Sequence, residues 1–209
     1  MARAGQVQGQ DPLWDMLLSF MASPEDPISG GRHKVLGSKA LSIPPQTSTI
    51  ASYLPKSVGM AYGLNLGRRI PPLERVYPQD AIAYCSFGDA SINHASAQTV
   101  LNTAGWTAWQ GVGLPLLCLC EDNGIGISTK SPAGWIAAVL QSRPGLSYFE
   151  TNGLDIVETY RTAKVAPDHV RRTRKPAVIH MRCVCLYGHT CPDVEAAYRP
   201  IQEIEANER

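Results

Sequence analysis

Residues 83–93, Ala-Tyr-Cys-Ser-Phe-Gly-Asp-Ala-Ser-Ile-Asn, are a short apolar run that ends abruptly in small and oxygen-bearing side chains. Residues 116–126, Leu-Leu-Cys-Leu-Cys-Glu-Asp-Asn-Gly-Ile-Gly, have the same arrangement. Such runs predict two strands, each followed by a polar loop. In an open parallel sheet, ligands bind beyond the carboxyl ends of the strands, so Asp89 and Asn123 are expected to face one crevice. Both offer hard oxygen donors that suit magnesium better than zinc.

Strands and helices are expected to alternate along the chain, which predicts an α/β fold. A strand, a helix and a second strand would make the two polar strand ends neighbours. The proline pair at residues 44–45 excludes helix, so residues 31–49 are expected to form a long loop. The predicted helices are residues 11–21, 54–66, 91–104 with Ser91 as N-cap, 135–141 and 155–165 with Asp155 as N-cap, and the further strands are residues 147–150 and 177–186.

Composition limits the kinds of partner. The 209 residues include 44% hydrophobic and 18% charged residues and carry a formal net charge of +1, which gives no electrostatic case for nucleic acid or membrane. No apolar run approaches the ~20 residues of a membrane span. The six cysteines include pairs two positions apart in apolar runs, a spacing that does not chelate a metal. Reduced thiols and a cytoplasmic location are therefore expected.

The motif order resembles a known family. Gly88-Asp89-Ala90, followed by the Glu-Asp-Asn of residues 121–123, resembles the bipartite thiamine diphosphate motif of a Gly-Asp-Gly and a paired Asn. The wider order looks like the alpha subunit of 2-oxo acid dehydrogenases, most of all its branched-chain members, over roughly residues 31–199. The other matching segments are residues 31–32, 37–39, 47–62, 152–155, 188–190, 193 and 198–199.

The resemblance implies a parallel-sheet thiamine-diphosphate-binding fold with helices on both faces. It implies that Asp89 and Asn123 give side-chain oxygens to Mg²⁺ and that Ile125 gives its backbone carbonyl. His189 would be the catalytic histidine and would also contact the cofactor. Further cofactor contacts are implied for Ser48, Ile50, Gly88 and Ala90.

The resemblance also implies partners. A beta subunit would complete the site, a 2-oxo acid would be the substrate, and a lipoyl acyltransferase component would take the acyl group. Residues 1–30 are expected to be a peripheral segment, residues 31–199 the cofactor-binding domain and residues 200–209 a helical tail. Because the chain begins near the first motif and ends soon after the last, it resembles a partial alpha subunit.

Two alternatives stay open at this stage. Ala90 replaces the second Gly of the motif and Asp122 replaces the first Asn, so the chain is also compatible with a catalytically silent relative or an assembly module. The second alternative is a nicotinamide-binding Rossmann domain, because Gly124-Ile-Gly126 follows a predicted strand. A lone Gly-x-Gly is a weak signal, since residue 129 is Thr where the fingerprint has its third Gly.

Overall fold

The computed structural model describes residue 9 and residues 11–32, 35–71, 77–190 and 192–207. Contacts divide the chain into two compact units, Met1–Tyr53 and Leu54–Arg209. The three-part division expected from the sequence stays a prediction. The helices are α1 (Pro12–Phe20), α2 (Tyr53–Gly67), α3 (Ala95–Trp109), α4 (Trp135–Gln141), α5 (Ile156–Thr173) and α6 (Ile201–Asn207), and the strands are β1 (Val35–Ser38), β2 (Ile43–Thr47), β3 (Ala83–Gly88), β4 (Leu116–Asp122), β5 (Ile125–Gly126), β6 (Thr129–Lys130), β7 (Ser147–Asn152) and β8 (Ala177–Arg182).

The second unit is built on a four-stranded sheet in the order β3-β4-β8-β7, and all three pairings are parallel. Helix α5 covers one face, where Ala166 and Val170 pack with Leu117 and Ile179. On the opposite face, Gln141 of α4 hydrogen-bonds the side chain of Tyr148. The predicted parallel α/β sheet with helices on both faces is therefore confirmed.

One prediction for the first unit, the long loop at residues 31–49, is wrong. Residues 31–49 were expected to be a loop, but β1 and β2 form an antiparallel pair in which Val35 lies opposite Thr47 and Ser38 opposite Ile43. The prolines at residues 44–45 lie inside β2. The pairing register shifts between Leu36 and Ser38, opposite the prolines. Such an irregularity, together with the free outer edge of a two-stranded ribbon, is where a strand tolerates proline.

Two helices are longer than the sequence predicted. Helix α3 continues from the expected end near Ala104 to Trp109, so the expected connection over residues 103–113 is mostly helical. Its N-cap is His94, whose Nδ1 accepts the Ser96 N–H, so the prediction of a Ser91 cap is wrong. Helix α5 continues past Pro167 to Thr173. Burial of the apolar residues on its inner face stabilises the helix by more than the loss of the one backbone hydrogen bond that proline removes.

Two other predictions are confirmed by these elements. Helix α1, with Asp11 as its N-cap, lies within the helix predicted at residues 11–21. Asp155 caps α5 by accepting the amides of Val157 and Glu158 at 2.9 and 3.0 Å. All five cysteines that the structure describes are free thiols, and Cys191 lies outside the described residues. Among the described helices, none combines the length and apolarity that a membrane crossing requires.

Candidate functional site

The carboxyl ends of β3 and β4 lie side by side. Gly88 is the register partner of Glu121, so the chain leaves the two strands at neighbouring points, at Asp89 and Asn123. Both polar strand ends therefore meet at one edge of the sheet, as their sequence positions predicted. Asp89 begins a short 3₁₀ helix that runs to Asn93.

Asp89 is a buried carboxylate with only 1% of its surface exposed. Its Oδ2 accepts the Ser131 hydroxyl at 2.7 Å, and the backbone amides of Ala90 and Asn123 also donate to it. Burial raises the pKa of Asp89 despite these donors, and the nearby Asp122 carboxylate raises it further. A buried anion next to a second anion is destabilising unless a cation compensates it, so this position fits a metal ion.

Asn123 forms the turn that leads out of β4. Its Oδ1 accepts the Ile125 amide at 3.0 Å, and Gly124 turns the chain at φ +75°. A carbonyl oxygen has a second lone pair, so Asn123 keeps an acceptor for a ligand. Within the described ranges, no group of three or more His, Cys, Asp or Glu side chains could hold a metal. A metal here would need amide, backbone and phosphate oxygens besides Asp89, the oxygen set that Mg²⁺ accepts.

Ala90 is accommodated at the position where the motif has Gly. It lies in the 3₁₀ helix and has no positive φ, so the backbone accepts an alanine without strain. Its methyl group packs on Gly126, where an added Cβ would come within 2.6 Å of it. The space beside Gly88 is open, since an added Cβ would meet nothing within 4 Å. The space beside Gly88 is therefore free for a ligand, whereas the space beside Gly126 is filled by the Ala90 methyl group.

The Gly124-Ile-Gly126 segment is followed by strand and not by helix. Gly126 belongs to β5, which pairs with β6 in a short antiparallel ribbon. The dinucleotide fingerprint places its glycines at the start of a helix, whose N-terminus holds the pyrophosphate. The Rossmann alternative is therefore wrong on the geometry of this segment.

His189 lies in a loop held by one carboxylate. Asp193 Oδ2 accepts the His189 amide at 2.8 Å and the Tyr198 hydroxyl at 2.5 Å. The Tyr198 hydroxyl holds the pKa of Asp193 below its usual range, and the same bond raises the pKa of Tyr198 to about 12. Gly188 fits closely here, because an added Cβ would lie 3.1 Å from Asp193 Oδ2. The loop is therefore fixed by its own downstream segment.

A cleft brings the His189 loop to the carboxyl edge of the sheet. Its lining includes His189 from the segment after β8 together with Asn123 and Ile125 from the segment after β4. Ile127, on the rim, has φ +57°, a strained conformation for a β-branched residue. The structure thus places Asn123, Ile125 and His189 in one cleft, with Asp89 bonded to the backbone of Asn123.

Sequence reasoning missed part of this site. Arg199, 7% exposed, lines the cleft and forms ion pairs with Glu195 and Glu203, the latter at 3.2 Å. Glu203 also binds Lys130 at 2.6 Å, which ties α6 to β6. The Ser131 hydroxyl on Asp89 was missed as well. The contacts of Ser131 with Asp89 and of Lys130 with Glu203 have no local signal, because their partners lie 42 and 73 positions apart in sequence.

Ser48 and Ile50 belong to the first compact unit. Both are exposed, and Ile50 has 60% of its surface accessible. Nearby, Ser52 donates to the Thr49 carbonyl at 2.8 Å and lies 3.3 Å from the Thr47 hydroxyl. The cofactor roles expected for Ser48 and Ile50 stay predictions.

Comparison with known proteins gives a family match over almost the whole chain. The family model described as "Dehydrogenase E1 component" matches residues 6–209. The 2-oxoisovalerate dehydrogenase subunit alpha of Bacillus subtilis is 27% identical over 196 residues, which cover 91% of this chain and 55% of that protein. The pyruvate dehydrogenase E1 component subunit alpha of Rickettsia bellii is 24% identical over 159 residues, which cover 75% of this chain and 44% of that protein.

The chain thus spans about half the length of these relatives. Among solved structures, transketolase from Leishmania mexicana is similar over 65% of this chain and 20% of that chain, with 20% identity. The TM-score of 0.47 is too low to establish a shared fold.

Proposed function

Because the chain belongs to the dehydrogenase E1 component family, we propose that it binds Mg²⁺ and thiamine diphosphate at the carboxyl edge of its sheet. It would serve as the alpha-type chain in oxidative decarboxylation of a 2-oxo acid. The buried carboxylate of Asp89, hydrogen-bonded to the amide of Asn123, is the observation that carries this proposal. The relatives named above point to a branched-chain 2-oxo acid or pyruvate as the substrate.

The described residues fit a metal-bound diphosphate. Asp89 would supply the anionic ligand, Asn123 Oδ1 a neutral one and the Ile125 carbonyl a third, while the phosphates would complete the shell. Gly88 leaves open space for the diphosphate to come close. Bound there, the cofactor would supply the nucleophilic carbon and the electron sink that loss of carbon dioxide requires.

His189 would act at the reacting end of the ligand. Its loop is held by Asp193 and its side chain lines the cleft beside Asn123 and Ile125. A histidine side chain can serve there as a general acid or a general base.

The surface of α3 supports the proposal of a partner subunit. Trp106 and Trp109 expose 66% and 77% of their surfaces. They lie three positions apart on one helix, so they are neighbours on the same face. Exposed aromatic side chains of this kind are typical of protein interfaces. We infer that a beta subunit packs nearby and that a lipoyl acyltransferase component receives the acyl group.

Calorimetry tests the metal and diphosphate part of the proposal. Thiamine diphosphate is titrated into the chain with and without Mg²⁺, first alone and then with a beta-type subunit from the same organism. We expect Mg²⁺-dependent binding in the micromolar range that Asp89→Asn abolishes. The matched control is Asp80→Asn, because Asp80 is 70% exposed and precedes the amino end of β3. Absence of binding under all conditions would favour the catalytically silent assembly module.

A further inference from the structure

Three buried or half-buried side chains form a hydrogen-bonded chain across the sheet. The Tyr148 hydroxyl on β7 lies 2.8 Å from His180 Nδ1 on β8, and His180 Nε2 lies 2.7 Å from Asp122 Oδ2 on β4. Tyr148 is the register partner of Val178, and Asp122 that of Arg182. In the order Tyr148, His180, Asp122, each residue therefore lies two register positions nearer the carboxyl edge than the previous one. This hydrogen-bonded series ends beside Asn123.

For an ionised carboxylate and a neutral imidazole, the donors and acceptors of these hydrogen bonds are fixed. The Asp122 carboxylate accepts, so His180 Nε2 carries the proton. The Nδ1 atom of a neutral imidazole is then an acceptor, and the Tyr148 hydroxyl is its donor. His180 is 3% exposed, so water cannot replace either partner. The arrangement satisfies both ring nitrogens and holds the ring in one orientation.

Each carboxylate oxygen of Asp122 accepts one hydrogen bond in this arrangement. Its Oδ2 receives His180, and its Oδ1 receives the Gly124 amide at 3.0 Å. The charge of Asp122 already acts on Asp89. Released from His180, the carboxylate could rotate toward the oxygen ligands, compete with Asn123 for a cation and repel an anionic phosphate. Its hold on Gly124 also shapes the turn in which Asn123 sits.

We propose that His180 is a positioning residue for the metal–diphosphate site, which keeps the Asp122 carboxylate turned away from the cation and fixes the turn that presents Asn123. Tyr148 assists by fixing the tautomer of His180. This role rests on the proposed function for its effect on ligand binding, whereas its effect on the turn is independent of any ligand.

Four variants test this proposal. His180→Leu removes the hold on Asp122, and His180→Gln keeps an N–H donor at a similar place. The double variant Asp122→Asn with His180→Leu removes the charge that His180 restrains. His169→Leu is the matched control, because His169 makes a comparable bond of 2.9 Å to the Ser147 hydroxyl at the opposite end of the sheet.

Two readouts are used. The chemical shift and exchange rate of the Gly124 amide proton are measured by NMR in the ligand-free protein. The affinity for thiamine diphosphate is measured by calorimetry at fixed Mg²⁺. We expect His180→Leu to alter the Gly124 amide and to weaken affinity about 10- to 100-fold, the usual effect of losing an outer residue that orients the ligands of a metal site. His180→Gln and His169→Leu should keep the Gly124 signal, and the double variant should recover most of the affinity.

The outcomes separate this proposal from the proposed function. If wild-type protein binds no thiamine diphosphate even with a beta-type subunit present, the proposed function fails, and the Gly124 signal still reports whether His180 holds the turn. An unchanged Gly124 signal in folded His180→Leu protein overturns the proposal. It is also overturned if the double variant binds no better than His180→Leu, since the restrained charge would then not be the cause. If His180→Leu does not fold, loss of the Gly124 signal in folded His180→Gln protein overturns it instead.

Discussion

Replacing Gly126 by alanine should introduce a collision at the centre of the candidate site. The new methyl carbon would lie 2.6 Å from the Ala90 Cβ, about 1 Å closer than ordinary contact between carbon atoms. Gly126 has no positive φ, so the backbone itself accepts alanine and the clash is the main effect. Overpacking of this kind costs about 1–3 kcal/mol. We expect Gly126→Ala to lower the free energy of unfolding by that amount.

The collision has one identified partner, so a second substitution should remove it. In an Ala90→Gly background, the new methyl group would have Ala90 Cα and the Thr129 carbonyl oxygen at 3.9 Å as its nearest neighbours, which is ordinary contact. Gly126→Ala should then be almost neutral. The double-mutant cycle should give a coupling of about 1–3 kcal/mol, beyond the additivity of independent sites.

Urea unfolding of the four proteins of this cycle measures the coupling. Gly88→Ala is the control, since Gly88 lies at the same edge and its added Cβ would meet nothing within 4 Å. The close packing of residues 90 and 126 is refuted if Gly126→Ala costs the same in both backgrounds. It is equally refuted if Gly126→Ala is as mild as Gly88→Ala.

Three further substitutions probe other parts of the chain. Gly105→Ala would put a methyl carbon 2.4 Å from the Pro144 carbonyl oxygen, so urea unfolding should show a loss of about 1–3 kcal/mol, and a wild-type midpoint would contradict the packing of α3. Asp155→Ala removes the cap of α5 and should lower the free energy of unfolding by about 1 kcal/mol in the same assay. The control is Asp168→Ala, an exposed position on the same helix, which should lower it by less than about 0.5 kcal/mol. Equal effects of the two substitutions would contradict the cap. The pKa of Asp193 is below its ordinary value of 3.8, so its stabilisation should be present above that pH and lost as pH falls through the lowered pKa. Asp193→Asn should flatten this acid loss in unfolding measured across pH, and an unchanged pH profile would contradict it.

The edge of the sheet that forms the site was predictable because its signals are local. The apolar runs at residues 83–88 and 116–122 end in polar residues, and parallel pairing of consecutive strands brings these ends together. Asp89, Asn123 and His189 were chosen from such positions and from the family resemblance. Their chemical roles remain proposals, although the geometry places Asn123 and His189 in one cleft.

The elements that were predicted wrongly depend on distant contacts. Helix α5 passes Pro167 because Ala166 and Val170 are fully buried against the sheet, and the sheet residues they cover are not local in sequence. The β1–β2 ribbon contains two prolines that the sequence associates with loops. Local propensity gives a wrong prediction where burial or strand pairing outweighs it.

Side-chain contacts of the site were beyond the reach of sequence patterns. Ser131 and Asp89 lie 42 positions apart, and His180 and Asp122 lie 58 positions apart. One signal was available, because His180 is a titratable residue inside the apolar run of β8 and a buried polar side chain needs a partner. The identity of that partner follows only from the pairing of β4 with β8.

The central claim is that a metal-bound diphosphate occupies the carboxyl edge of the sheet. Substituting Mn²⁺ for Mg²⁺ in the presence of thiamine diphosphate tests it directly, because a paramagnetic ion broadens amide signals with the inverse sixth power of distance. We predict much stronger broadening at Ala90, Gly124 and Ile125 than at Ser147 and Ala177, which pair at the amino edge about 20 Å away. Equal or stronger broadening at the amino edge when the ligand is bound would contradict the claim.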